Sequence, residues 1–132
     1  MKTFRGSCHC GAIRFEADIE LSQGTIKCNC TICTKMRFWP AIVQADSFRL
    51  LAGQDDLATY RFGTKANGHP FCRHCGVHAF GTGNSPRWGQ FYAVNVSCLD
   101  DATADELANT PITYLDGRHD NWHAAPSETR HL

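Results

Sequence analysis

No stretch of this sequence stays apolar long enough to cross a bilayer, and its opening residues, Met1 to Ser7, form a short polar segment rather than a secretory leader. The expected location is therefore cytoplasmic, in a reducing compartment where disulfides are disfavoured. An excess of charge is missing too. Thirteen basic residues offset thirteen acidic ones, and there is no basic arm or tail. That balance excludes a global field for nucleic acid or an anionic membrane. Repeats and low-complexity tracts are absent. Only one helix is clearly signalled.

What is present is cysteine. Seven of the eight fall in three clusters: Cys8-His9-Cys10, Cys28-Asn29-Cys30-Thr31-Ile32-Cys33 and Cys72-Arg73-His74-Cys75. Cysteines two or three positions apart can aim their sulfurs at one point, as a tetrahedral metal site requires. Four make one closed thiolate site, and three remain. A three-thiolate set leaves the fourth position of a zinc ion to water or a substrate atom, the layout of catalytic zinc. Iron–sulfur clusters call for four thiolates each and a different spacing. A disulfide framework fits poorly, because Cys-x-Cys pairs have the wrong geometry to bridge within the pair.

Spacing alone does not say which pairs share an ion. Cys8 and Cys10 with Cys72 and Cys75 would pin the N-terminal strand to a later knuckle. Gly11 and Gly76 follow the second cysteine of each pair, where a tight turn favours positive φ. Cys28, Cys30 and Cys33 would then form the three-ligand site on one loop. Cys98, standing alone, reads as a small buried hydrophobe. His9 and His74 face away from the metal or lie on the surface. Of the scattered histidines, His69, His78, His119, His123 and His131, His123 beside Trp122 is one candidate to close the three-cysteine site. Phe38 and Trp39, preceded by Lys35 and Arg37, read either as a mouth to that site or as a strand start with solvated charges.

The 132 residues suit one domain spanning 1–132, and a hydrophobic content of 42% with 20% charged residues suits a soluble globular core. Alternation predicts short strands over 12–17, 77–80 and 90–97. Phe48 to Leu51 and Ala58 to Phe62 are expected to form a hairpin through Gly53-Gln54-Asp55-Asp56. Residues 81–86 read as a loop by composition. Thr103 and Glu106 form a capping box for one short C-terminal helix that Pro111 closes. The run from Thr110 onward reads as a closing arm. The class is mainly antiparallel β, stabilised by metal.

Gly6-Ser7-Cys8-His9-Cys10-Gly11-Ala12-Ile13-Arg14-Phe15, the Cys28 loop and Phe71-Cys72-Arg73-His74-Cys75-Gly76 resemble the glutathione-dependent formaldehyde-activating enzyme family, in its centromere protein V-like branch. The likeness continues through 48–53, 60–62 and 94–100. The resemblance implies a β-tent of antiparallel, zinc-stabilised sheets. It implies two zinc ions, one structural on Cys8, Cys10, Cys72 and Cys75, and one catalytic on Cys28, Cys30 and Cys33. It also implies a carbon–sulfur lyase whose partner is a small thiol such as glutathione and whose adduct is S-hydroxymethylglutathione. Three thiolates give such a zinc a formal charge of minus one, and a fourth makes it minus two. The metal then acts as a thiol activator more than a carbonyl polariser. The contrasting reading is a non-catalytic zinc-binding interaction module, in which a protein side chain closes the second site.

Overall fold

The computed structural model describes residues 1–64 and 67–132. Among them are ten strands and two α-helices, so the chain is mainly β. Strands β1 (Lys2–Ser7) and β2 (Arg14–Ile19) are antiparallel, and β5 (Phe48–Ala52) adds to the far side of β2. A second three-stranded sheet orders β4 (Pro40–Gln44), β9 (Gly89–Asn95) and β8 (Phe80–Ser85). Two pairs complete the fold. Strand β6 (Leu57–Tyr60) runs antiparallel to β7 (His69–Cys72), and β3 (Thr25–Cys28) runs parallel to β10 (Ile112–Leu115). No described helix is long and apolar enough to cross a membrane.

The expected alternation in β2 holds: Ile13 and Phe15 are buried, and Arg14 is exposed. Phe15 is the centre of the core. Its ring stacks on Phe48 at 5.4 Å, and Phe48 in turn lies 4.7 Å from Phe80 and 4.3 Å from Tyr92. These rings join the β1–β2–β5 sheet to the β4–β9–β8 sheet. Burying a core phenylalanine contributes on the order of 2–3 kcal/mol, so this aromatic seam is a main source of cohesion.

That seam also explains the first correction. The expected hairpin of 48–51 with 58–62 does not form. Phe48 enters the core beside Phe15, which pairs β5 with β2, while β6 leaves to place Leu57 opposite Cys72. Tyr60 and Phe62 are exposed and offer β5 no shared apolar face. Likewise, 81–86 is mostly strand rather than loop. Gly81 and Gly83 in β8 lie opposite Ala93 and Phe91, and a Cβ on Gly83 would come within 2.5 Å of the Phe91 ring. Gly83 makes room for a cross-strand aromatic ring. Residues 77–79 are not strand, and β8 begins at Phe80.

The capping box is present in full. Thr103 Oγ1 accepts from Glu106 N–H at 3.1 Å, and Thr103 N–H donates back to Glu106 at 3.0 Å, starting α2 (Ala104–Ala108). A second helix, α1 (Thr31–Met36), was not expected. It buries none of its residues and has no side-chain cap, so neither amphipathic period nor cap signal marks it. The closing arm is partly strand. As β10 it pairs parallel with β3, so the fold is not wholly antiparallel.

Candidate metal centres

Two clusters of sulfur lie in the fold. Cys8, Cys10, Cys72 and Cys75 converge with all four Sγ atoms within 4.8 Å of one another. Cys8 Sγ is 3.7 Å from Cys10 Sγ, and Cys10 Sγ is 3.6 Å from Cys72 Sγ. Four sulfurs at Zn–S bond length around a tetrahedral ion stand about 3.8 Å apart. The all-sulfur donor set and these two spacings fit zinc.

Two matching turns build this cluster. Cys8 N–H donates to Ile13 O, and Gly11 N–H donates to Cys8 O. Cys72 N–H donates to Val77 O, and Gly76 N–H to Cys72 O. Gly11 and Gly76 have φ of +82° and +78°, where an L side chain is strained, and that is why glycine follows each pair. Ile13 N–H also donates to Cys8 Sγ at 3.3 Å. Backbone N–H groups of Cys10 and Val77 hold the Cys75 thiol down to about 6. Cys10 accepts from Ala12 N–H, which favours its thiolate, yet desolvation and the neighbouring thiols push it up to about 11. Without a cation, four thiolates do not coexist here.

The second cluster is Cys28, Cys30 and Cys33. It sits not on one loop but on a strand end and a helix start. Cys28 closes β3, Cys30 is the N-cap of α1, and Cys33 lies within α1. Thr34 N–H donates to Cys30 O, and Phe38 N–H donates to Cys33 O. Arg37, at φ +53°, ends the helix. Hydrogen bonds from the Cys28 and Cys33 thiols keep Cys30 the most acidic of the three. The same crowding, first from Cys28 and then from Cys30, pushes Cys33 far up. The three thiols oppose one another's ionisation, and a dication would let all three ionise. Among the described residues, no fourth His, Cys, Asp or Glu joins this group.

A polar brace fixes the Cys28 strand end. Asn29 Nδ2 donates to Asp116 Oδ1 at 2.8 Å, and Asn29 Oδ1 accepts from Arg118 N–H at 2.9 Å. Arg118 Nε donates to Asn29 O at 3.1 Å. Asp116 also meets His119 Nδ1 at 2.9 Å, and its carboxyl is held below the usual range, chiefly by Asn29. Gly117 lies against the sulfur: a Cβ there would stand 2.6 Å from Cys28 Sγ and 2.6 Å from the Trp122 ring. No signal in the sequence pointed to Asn29, Asp116 or Gly117.

A cavity of about 370 Å³ elsewhere, between β3 and β4, holds no cysteine. The one of about 460 Å³ opens directly on Cys28, Cys30 and Cys33. Its walls include Phe38, as expected of a mouth, and also Phe62, His69 and Trp122, which the sequence reading did not assign to it. Lys35 is exposed in the last turn of α1, outside this cavity. Arg37 and Trp39 lie instead at a smaller space of about 110 Å³ that also reaches Cys28 and Cys33. There Arg37 donates to His131 O, and Trp39 Nε1 donates to Thr25 Oγ1 at 2.7 Å.

The remaining candidates separate cleanly. His123 is exposed and not in the cluster. His74 is on the surface, 2.8 Å from Asp56, and His9 is exposed. Cys98 is half-buried, and desolvation raises it to about 11, consistent with a small packed thiol. His69 stacks on Phe62 at 5.3 Å and lies 6.0 Å from the His78 ring. Burial lowers the pKa of His69, so its imidazole is neutral at physiological pH.

The comparisons agree with this geometry. The chain is similar to a Rhodobacter sphaeroides protein of known crystal structure, at 29% identity and a TM-score of 0.70. The match covers 83% of this chain and 99% of that one. A family model for the glutathione-dependent formaldehyde-activating enzyme matches residues 3–116, a span that contains all seven clustered cysteines. The chain belongs to the glutathione-dependent formaldehyde-activating enzyme family.

Proposed function

We propose that the protein is a zinc-dependent carbon–sulfur lyase acting on a thiol–aldehyde adduct, with S-hydroxymethylglutathione as the member of that class named by its family. One observation carries the reading: a cluster of three cysteines, without a fourth ligand among the described residues, forms part of the wall of a cavity. Cys8, Cys10, Cys72 and Cys75 would hold a structural zinc, and Cys28, Cys30 and Cys33 a catalytic one. A zinc ion on the three cysteines would supply an open position and a positive charge that favours the thiolate form of an entering thiol.

The protein's own groups do the rest. In the lyase direction the adduct's O–H bond breaks and its proton passes to a ring nitrogen of His69. The oxygen pair forms the aldehyde C=O, the C–S bond breaks, and sulfur keeps its electron pair. In the synthetic direction His69 returns the proton. Among the described residues lining the cavity, His69 is the one neutral base of suitable strength, since Thr31, Thr82 and Asn67 do not take up a proton near neutrality. Charged and titratable neighbours of the imidazole are Cys30, Arg61, Tyr60 and His78. Phe38 and the other apolar walls give the reacting centre an apolar lining on the protein side.

The test mixes formaldehyde with a panel of thiols, glutathione among them, and follows adduct formation by NMR. Wild type is expected to outpace both buffer and Cys33→Ser. His69→Asn is expected to keep its zinc but to lose on the order of a hundredfold or more in kcat. No acceleration with any thiol contradicts the lyase reading.

A further inference from the structure

The walls of the catalytic cavity are more selective than its floor. Ile42, Ala93 and Phe91 share one face of the β4–β9–β8 sheet and form one apolar wall of the space, which Trp88, Leu115, Phe62 and Trp122 also line. Phe62 and Trp122 are 44% and 43% exposed, among the most exposed large hydrophobic residues of the described chain. Phe62 rests on Tyr60 and His69, and Trp122 on Gly117, but among the described residues nothing covers the outward faces of these rings, which folding alone explains poorly. They are well explained by a ligand that does.

Charge on these walls is sparse. Among the described lining residues Arg118 is the one cation, its Nε already donating to Asn29 O, and there is no carboxylate. Arg61 stands beside Gly68 at the edge. Arg87 lies over the Trp88 ring at 5.2 Å and donates to Trp122 O, so it braces the mouth. A glutathione adduct brings two carboxylates and an ammonium. Arg118 and Arg61 could receive carboxylates, but the ammonium meets no acid on these walls and would lose water without compensation.

We infer that this cavity selects an adduct of a thiol with an uncharged aromatic or branched aliphatic body, rather than the glutathione adduct. The inference rests on the lyase reading above and narrows its substrate class. The sulfur sits at the cysteine cluster, and the apolar body lies between Phe91 and Trp122. A cavity of about 460 Å³ has room for such a body beside the reacting atoms.

The experiment replaces the metal with cobalt(II) and titrates the protein with phenylmethanethiol and, separately, with glutathione. The cobalt absorption bands report entry of sulfur independently of turnover. Half-saturation with phenylmethanethiol is expected at a concentration at least about tenfold below that for glutathione, from burial of the phenyl ring. Trp122→Ala, which removes one apolar wall at the mouth, is expected to weaken phenylmethanethiol several-fold more than 2-mercaptoethanol. Equal or tighter binding of glutathione, or equal loss of both thiols in Trp122→Ala, overturns the inference and leaves the lyase reading standing. Bands that no thiol shifts overturn both.

Discussion

Gly117 shows how closely single atoms define the three-cysteine cluster. It has no Cβ because Cys28 Sγ and the Trp122 ring occupy that volume. Gly117→Ala is expected to push the sulfur or the ring aside, and so to weaken metal at Cys28, Cys30 and Cys33 while sparing Cys8, Cys10, Cys72 and Cys75. Metal counted after mild chelation should fall from two ions per chain to one. Two ions retained as firmly as in wild type would mean that Gly117 has slack. The grouping of seven cysteines into two clusters was legible because cysteine spacing is a direct statement of geometry. Gly117 was not, because a glycine whose role is to avoid a sulfur 89 positions away in sequence looks like any turn glycine.

At the level of elements, the parallel pair β3–β10 carries Cys28 into place. Two strands alone are marginal. The pair is fastened by Asn29 to Asp116 and Arg118, by Trp39 to Thr25, and by the Thr25 N–H to Pro111 O bond. Asn29→Ala is expected to speed amide hydrogen exchange over 25–28 and 112–115 together, while β8 and β9 keep their protection. Faster exchange in β3 alone would show that the two strands do not open as a unit.

Several elements could be read from the sequence for good physical reasons. Ile13 and Phe15 alternate against Arg14 and Glu16 because β2 has one buried face. Thr103 and Glu106 cap α2 through side chains that act locally. The failures were all non-local. Phe48 chooses its partner by the aromatic seam rather than by proximity to 58–62, and Gly83 is strand because Phe91 covers it. Helix α1 carries Cys33, with Cys30 as its N-cap, and has no buried face or side-chain cap that a local pattern could show.

Across the whole molecule the two cysteine clusters occupy different places, and the proposed roles follow those places. The four-cysteine cluster ties the β1–β2 turn to the end of β7, two segments more than sixty residues apart in sequence, and both turns are used up by it. The three-cysteine cluster lies where the β3–β10 pair meets the β4–β9–β8 sheet, and the gap between these two sheets is the cavity. The proposed lyase reading puts chemistry at the junction of these sheets and leaves the four-cysteine cluster to hold the fold.

The most direct test of this division is zinc X-ray absorption on protein loaded with two zinc ions per chain, before and after a thiol is added. A closed four-sulfur site together with an open three-sulfur site predicts an average of about 3.5 sulfurs per zinc, with the balance oxygen. On addition of the thiol the average should rise toward 4. A spectrum that already shows four protein ligands at both zincs, and that does not respond to thiol, would contradict the open site on which the lyase reading depends.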